Sequence, residues 1–308
     1  MRSASGNLSE WLGLIRFSHT IFALPFAAIA TLLAFEKPLA DSGEFPQVRW
    51  QDLLGVLACM ITARSAAMAF NRWADRDVDA RNPRTASRHI PAGRLSGSSV
   101  VWFTAIMAGL FVASTLLFLP NPLPVLGSPF VLAILLGYSY AKRFTDAAQV
   151  WLGVALAISP ICAWVAIRGT QSGLWWTELA LPLSLAFAVA FWVAGFDTIY
   201  ACQDEAFDRE ARLRSLPVRF GISGSLTVAK LLHLAMLAAL AVFIYIGTSV
   251  GFGIPMVVIG TAVAVLVIYQ HALVRPDDLS RVGIAFFNTN AVISVVLLMG
   301  TIVDVWLL

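Results

Sequence analysis

Apolar runs of bilayer-crossing length, about 17 to 25 residues each, recur from one end of this chain to the other. They predict about nine spans, near residues 11–35, 51–71, 98–119, 123–141, 147–167, 178–201, 225–246, 253–274 and 283–306. Gly and Pro fall inside several of them, which membrane-spanning helices tolerate better than soluble ones. No low-complexity tract or soluble domain interrupts the series. The expected fold is all-α: an integral membrane bundle of about nine transmembrane helices, forming one polytopic domain over residues 1–308.

Composition supports that pattern. The chain is 59% hydrophobic and only 13% charged, with a mean hydropathy of +0.79. Soluble domains carry roughly 25% charged residues, so an aqueous globule is not expected. Met1–Glu10 is polar and the first apolar run outlasts a signal h-region, so no cleavable signal peptide is expected. Cys59, Cys162 and Cys202 stand far apart within apolar segments, form no CxxC pair, and read as buried spectators.

The net charge of +3 becomes informative only once the charges are placed. Loops after the even-numbered spans share one face. They hold Arg72, Arg76, Arg81, Arg84, Arg88 and Arg94, then Lys142 and Arg143, then Arg209, Arg212, Arg214 and Arg219, then Arg275 and Arg281. The opposite loops offer Lys37, Arg49 and Arg168. The positive-inside rule makes the first face cytoplasmic, in a multi-pass protein of the cell's inner membrane. Trp175 and Trp176 then belong to the opposite interfacial belt.

Two acidic motifs lie on the basic face. Asn71, Asp75 and Asp79 recur at i, i+4, i+8, and Asp197, Asp204 and Asp208 at i, i+7, i+11, so each set is expected on one face of a continuous helix. Solvated charge at a helix end accounts for Asp77, Glu205, Asp277 and Asp278. It accounts poorly for two face-aligned sets, each against an apolar span and followed by arginines. Stacked carboxylates repel unless a cation sits among them. Oxygen-only ligands suit Mg²⁺, which keeps waters and takes phosphate oxygens as further ligands. Arg and Lys complement such a site by holding phosphate. The pattern therefore points to a metal-bridged diphosphate at a membrane surface. The two motifs also echo each other, each ending an even-numbered span, as a parallel repeat or two converging half-sites would.

Asn71–Asp79 resembles the NxxxDxxxD motif of the UbiA superfamily of intramembrane prenyltransferases, and Asp197–Asp208 resembles its DxxxxxxDxxxD motif. Arg84–Arg94 is similar to the family's RTxxRPxPxG stretch, Tyr140–Thr145 to its YxKR segment, and Arg16–Pro25 (His19 included) to its first-helix signature. The resemblance covers nearly the whole chain. It departs at His89, where many members have Pro or Glu, and at Arg72, where many have Asp, which leaves one fewer potential metal ligand.

The resemblance implies Mg²⁺-dependent transfer of a polyprenyl chain from polyprenyl diphosphate to an acceptor, within a lipid bilayer and with no nucleic-acid partner. Asn71, Asp75, Asp79, Asp204 and Asp208 would hold the metal through the diphosphate, and Arg72, Arg84, Arg88, Lys142 and Arg143 the diphosphate itself. Lys142 and Arg143 could equally be ordinary topology determinants. Asp197, deeper on its span, is the expected catalytic group, orienting an acceptor phenol or taking a ring proton. Trp73, Tyr138, Tyr140, Phe191, Trp192, Phe196 and Tyr200 are candidates to shield an allylic cation, or plain packing residues.

Arg64 lies seven residues before Asn71, deeper in the membrane, where an unpaired arginine is costly. It is either a counter-ion for the aspartates or the grip for an acceptor carboxylate; Arg16 and Tyr200 are further acceptor-side candidates. His233 and His271 show no partner spacing and read as packing residues. The segment 195–204 looks most like the 4-hydroxybenzoate branch, which acts in ubiquinone synthesis. Phe207–Arg209 and Ser215–Pro217 look more like the branch that prenylates 1,4-dihydroxy-6-naphthoate in menaquinone synthesis. Both acceptors are aromatic carboxylic acids. An ion-coupled transporter is the distant alternative, although coupling sites usually lie at broken helices near the midplane.

Overall fold

The computed structural model describes residues 8–15, 23–39, 43–169 and 176–307, and among these it is a helical bundle. A short α1 (Leu8–Leu14) and α2 (Leu24–Glu36) precede the long α3 (Trp50–Ala74) and the short α4 (Arg76–Arg81). Then come α5 (Gly97–Thr115), α6 (Leu123–Gly137), the single turn α7 (Ala141–Phe144) and α8 (Ala148–Arg168). The chain ends with α9 (Trp176–Ala201), α10 (Glu205–Glu210), α11 (Leu216–Gly247), α12 (Ile254–Ala272) and α13 (Val282–Ile302). Among the described residues, 8 helical stretches are long and apolar enough to cross a membrane, and they match the second to ninth expected spans. The first expected span contains α2, which at 13 residues is shorter than a bilayer crossing.

Helix ends follow local chemistry. Ser96 caps α5 by accepting from Ser99 N at 3.1 Å, and Asp304 accepts the orphan N–H groups of Gly253 (2.8 Å) and Met256 (3.2 Å) at the start of α12. The central element is α9, packed against α8 and α11, with α2 and α13 also touching it. Gly153 allows α8 to lie close: a Cβ there would stand 2.3 Å from the Ala190 carbonyl oxygen. One buried cluster, including Phe26, Leu33, Trp164, Leu185, Trp192, Phe243 and Met256, joins α2, α8, α9, α11 and α12. Large apolar side chains such as Trp102, Phe130, Leu234 and Ile268 face outward, where lipid would replace water.

Candidate functional site

Both acidic motifs start on a long helix and break at their middle aspartate. α3 ends at Ala74, Asp75 takes φ −95°, ψ 4°, and α4 resumes at Arg76. α9 ends at Ala201, a tight turn spans Cys202–Asp204, Asp204 takes φ −102°, ψ 3°, and α10 begins at Glu205. The expectation of one uninterrupted helix face is therefore corrected in both places. Across the first break, i+4 hydrogen bonds still run from Asp75 N to Asn71 O (3.0 Å) and from Asp79 N to Asp75 O (2.7 Å). Matching backbone at matching positions gives the sequence echo a structural form, in a region of φ/ψ space where functional residues are often found.

Asn71, Asp75, Asp79, Asp197, Asp204 and Asp208 all line one cavity of about 510 Å³. Arg64, Arg72, Arg84, Arg88, Lys142, Arg143 and Tyr200 share its walls. Arg16 and His19 lie outside the described residues, as does Trp175. Residues from α3, α6, α8 and α9 continue the cavity as an apolar chamber lined by Met60, Val131, Leu135, Leu156 and Ile158.

Most of the carboxylates are held by cations. Arg88 Nη1 donates to both oxygens of Asp79, at 2.6 and 2.8 Å. Arg84 clasps Asp204 through two nitrogens, Nε at 2.8 Å, while Asn82 Nδ2 reaches the same carboxylate at 3.2 Å. Lys142 Nζ donates to Asp208 Oδ2 at 2.7 Å. Asp75 receives Asn71 Nδ2 at 3.0 Å, and its other oxygen lies 3.7 Å from Arg143 Nη2. The cations expected on phosphate thus rest on carboxylates here, which is how carboxylates this closely set avoid mutual repulsion. Burial, reinforced by the neighbouring Asp79 carboxylate, pushes Asp75 up to about 6. Burial opposes the charge on Arg84, but its hydrogen bonds and attraction to Asp204 prevail and hold it above the usual arginine value.

Two charged groups on the wall are unlike these. Asp197 has no hydrogen-bond or ion-pair partner among the described residues, although it lines the cavity. Arg64 also lines it, and its Nε is buried with no hydrogen-bond partner. The reading of Arg64 as a counter-ion to the aspartates is corrected: among the described residues no carboxylate pairs with it.

Of the expected aromatic shield, Tyr138, Phe196 and Tyr200 line the cavity, whereas Trp73, Tyr140, Phe191 and Trp192 do not. Trp192 instead packs against Phe26 and Phe196 and donates to Asn290 Oδ1 at 3.0 Å. Phe286 from α13 replaces them, with its ring centroid 4.2 Å from that of Tyr200 and 5.2 Å from that of Phe196. Sequence reasoning missed Phe286 and Asn82, because nothing local ties either to the motifs. It also misjudged the thiols: Cys59 and Cys162 line the cavity, and Cys162 is exposed rather than buried. His233 and His271 are partners across 38 positions, with ring nitrogens 2.8 Å apart. His233 fills a notch at Gly195, where a Cβ would stand 2.4 Å from its ring.

The donor set suits magnesium. It is oxygen-only and faces a cavity rich in guanidinium groups. Among the described residues, no three His, Cys, Asp or Glu side chains form a ready-made cage. Mg²⁺ needs none, since it takes one or two carboxylates together with waters and substrate phosphate oxygens.

Residues 23–292 match the UbiA prenyltransferase family. A 4-hydroxybenzoate octaprenyltransferase of Nitrosomonas eutropha is 30% identical over 308 residues, covering 92% of this chain and 98% of that one. That of Vibrio parahaemolyticus is 30% identical over 261 residues, or 83% and 86% of the two chains. The apo structure of a homologue from Aeropyrum pernix K1 is 34% identical and superposes with a TM-score of 0.79 over 93% of this chain and 98% of its own. A homologue from Archaeoglobus fulgidus, solved bound to GPP and Mg²⁺, shares the fold at 19% identity, with a TM-score of 0.71 over 96% and 99% of the chains.

Proposed function

This chain belongs to the UbiA prenyltransferase family, and from that premise we propose that it transfers a polyprenyl group from polyprenyl diphosphate to a ring carbon of 4-hydroxybenzoate. The observation that carries the reading is a single cavity joining three unlike environments. Carboxylates with cations stand at one end, an apolar chamber extends from them, and an unpartnered arginine, Arg64, lies within the wall. Those environments suit, in turn, a diphosphate, an isoprenoid tail and an aromatic carboxylate. The identity of the acceptor follows from the names of the relatives.

In this reading Asn71, Asp75, Asp79, Asp204 and Asp208 hold Mg²⁺ with the donor diphosphate, and the ion neutralises negative charge gathering on the leaving group. Arg84, Arg88, Lys142 and Arg143 then turn from carboxylate to phosphate oxygens, helped by Arg72, and stabilise the same charge. The allylic C–O bond breaks and leaves carbocation character on the tail's terminal carbon. Tyr138, Phe196, Tyr200 and Phe286 turn π faces toward it. The apolar chamber keeps out water, which would capture the cation. Arg64 grips the acceptor carboxylate and so aims the phenol ring. A ring carbon bonds to the tail, and Asp197 takes the displaced ring proton as aromaticity returns. The cation excess of the motif-side loops supports a cytoplasmic orientation of this end.

The transporter alternative has less support, since both motifs break at the ends of their helices rather than in mid-span. Competition between 4-hydroxybenzoate and 1,4-dihydroxy-6-naphthoate, read by product mass spectrometry with purified protein, Mg²⁺ and polyprenyl diphosphate, tests the proposal. Prenylated 4-hydroxybenzoate should dominate. Exclusive prenylation of the naphthoate would reassign the acceptor to the menaquinone route, and no prenylated product with any acid would reject the function.

A further inference from the structure

The large cavity provides for donor and acceptor, whereas the charged product must reach water. On the reading proposed above, a prenylated acid can leave sideways into lipid. Pyrophosphate cannot, because several charges would have to enter hydrocarbon. It needs a polar passage to water.

A second chamber, of about 290 Å³, adjoins the first. Among the described residues its lining contains no apolar side chain. Arg72, Arg84, Thr85 and Arg88 line both chambers and so form the partition, while Gly13, Ser87, His89 and Arg94 belong to the second alone. On the cavity side each partition arginine contacts a motif or motif-bound group: Arg88 holds Asp79, Arg84 holds Asp204, and Arg72 Nη1 donates to Asn71 Oδ1 at 3.3 Å. A guanidinium carries five donors, so an arginine between two chambers can address an anion from either. When carboxylates turn to a metal, the forks of Arg84 and Arg88 are released toward phosphate oxygens.

The outer end is also cationic. Arg94 Nη2 donates to the Ser87 carbonyl at 2.7 Å, and Arg94 Nη1 lies 3.5 Å from Glu10 on α1. Glu10 also approaches His89 Nε2 at 3.2 Å. Once Asp79 and Asp204 turn to a metal, Glu10 is the one carboxylate left against Arg94 and the partition arginines, and the chamber then suits a compact polyanion.

We infer that this second chamber is an anion-binding exit site for inorganic pyrophosphate, entered past Arg72, Arg84 and Arg88 and lined toward water by Ser87, His89 and Arg94. It rests on the prenyl-transfer reading only for the origin of the pyrophosphate; the site itself is assigned from its lining. Donor tail and acceptor have no part in it.

Calorimetry with inorganic pyrophosphate on the purified full chain tests the site without turnover, alongside the donor KM. Arg94→Gln removes an outer cation. Ser87→Glu adds a negative charge at an exposed side chain that makes no hydrogen bond, so it preserves the fold even if Arg94→Gln loosens the loop. Each variant should weaken pyrophosphate binding about tenfold, the scale of one added or lost charge near the surface, and leave the donor KM unchanged. Unchanged pyrophosphate affinity in Ser87→Glu would overturn the proposal. So would a donor KM rising in step, because the chamber would then be part of the donor site. Failure of the wild-type protein to prenylate any acid bears on the function instead, since the calorimetry needs no acceptor.

Discussion

Arg168 and Arg88 each hold a carboxylate inside a mainly apolar bundle, at opposite ends of it, and their surroundings differ in kind. Arg168 is 1% exposed and commits its donors to Glu178 Oε2 (3.0 Å) and to the carbonyls of Ala34 (2.9 Å), Lys37 and Pro38 (2.9 Å). Lys37 Nζ adds a second cation 3.4 Å from Glu178. Every partner is protein, and the set ties α2, α8 and α9 together. At the motif end, the Arg88 and Arg84 side chains are 21% and 31% exposed and border two cavities. A saturated pair is structural; a pair facing a cavity keeps its charges exchangeable. The sequence shows both as arginines near span ends, and only the surroundings tell them apart.

The sharpest contrast is between deleting a carboxylate at each end. Asp204→Asn should lower prenyl transfer by at least about 100-fold, the scale of losing one group that stabilises transition-state charge. Its melting temperature should barely move, since the partly exposed Arg84 regains water. Glu178→Gln should do the reverse. It strands a buried guanidinium, costs about 3–5 kcal/mol, and leaves the specific activity of the surviving folded protein intact. Thermal inactivation and initial rates measured on both variants decide the matter, and equal stability losses at the two ends would show both ion pairs to be structural.

Arg64 is a different case, a cavity cation with no protein partner among the described residues. Arg64→Met should raise the acceptor KM about tenfold and leave the donor KM and kcat nearly unchanged, the signature of lost uniform binding. A rise in donor KM instead would move Arg64 into the diphosphate site.

An effect of similar size concerns protons. Metal binding needs the ionised form of Asp75, whose pKa is raised to about 6. Lowering the pH through that value must therefore weaken Mg²⁺ binding. The half-saturating Mg²⁺ concentration should rise about tenfold between pH 7.5 and pH 5. An aspartate at its ordinary value would give almost no change over that interval.

Much of this organisation is legible in the sequence, because span length and the spacing of acids are local properties. Eight of the nine expected spans recur as long apolar helices among the described residues, and every described site residue lines the one cavity. Where the reading falls short, the cause is non-local. The bridge-region backbone at Asp75 and Asp204 is set where long helices give way to short ones, and spacing alone does not reveal it. Phe286 reaches the wall from α13, far along the chain. Arg168 looks like a loop cation until α2 and α9 fold over it, and His233 meets His271 only once α11 and α12 pack.

Both motifs should hold one and the same donor diphosphate. Mg²⁺-dependent binding of a radiolabelled, unreactive polyprenyl diphosphate analogue to wild type, Asp75→Asn and Asp204→Asn, without acceptor, tests it most directly. Binding should be lost in both variants at saturating Mg²⁺. Wild-type binding in either one would mean that a single motif holds the donor, and would contradict the account.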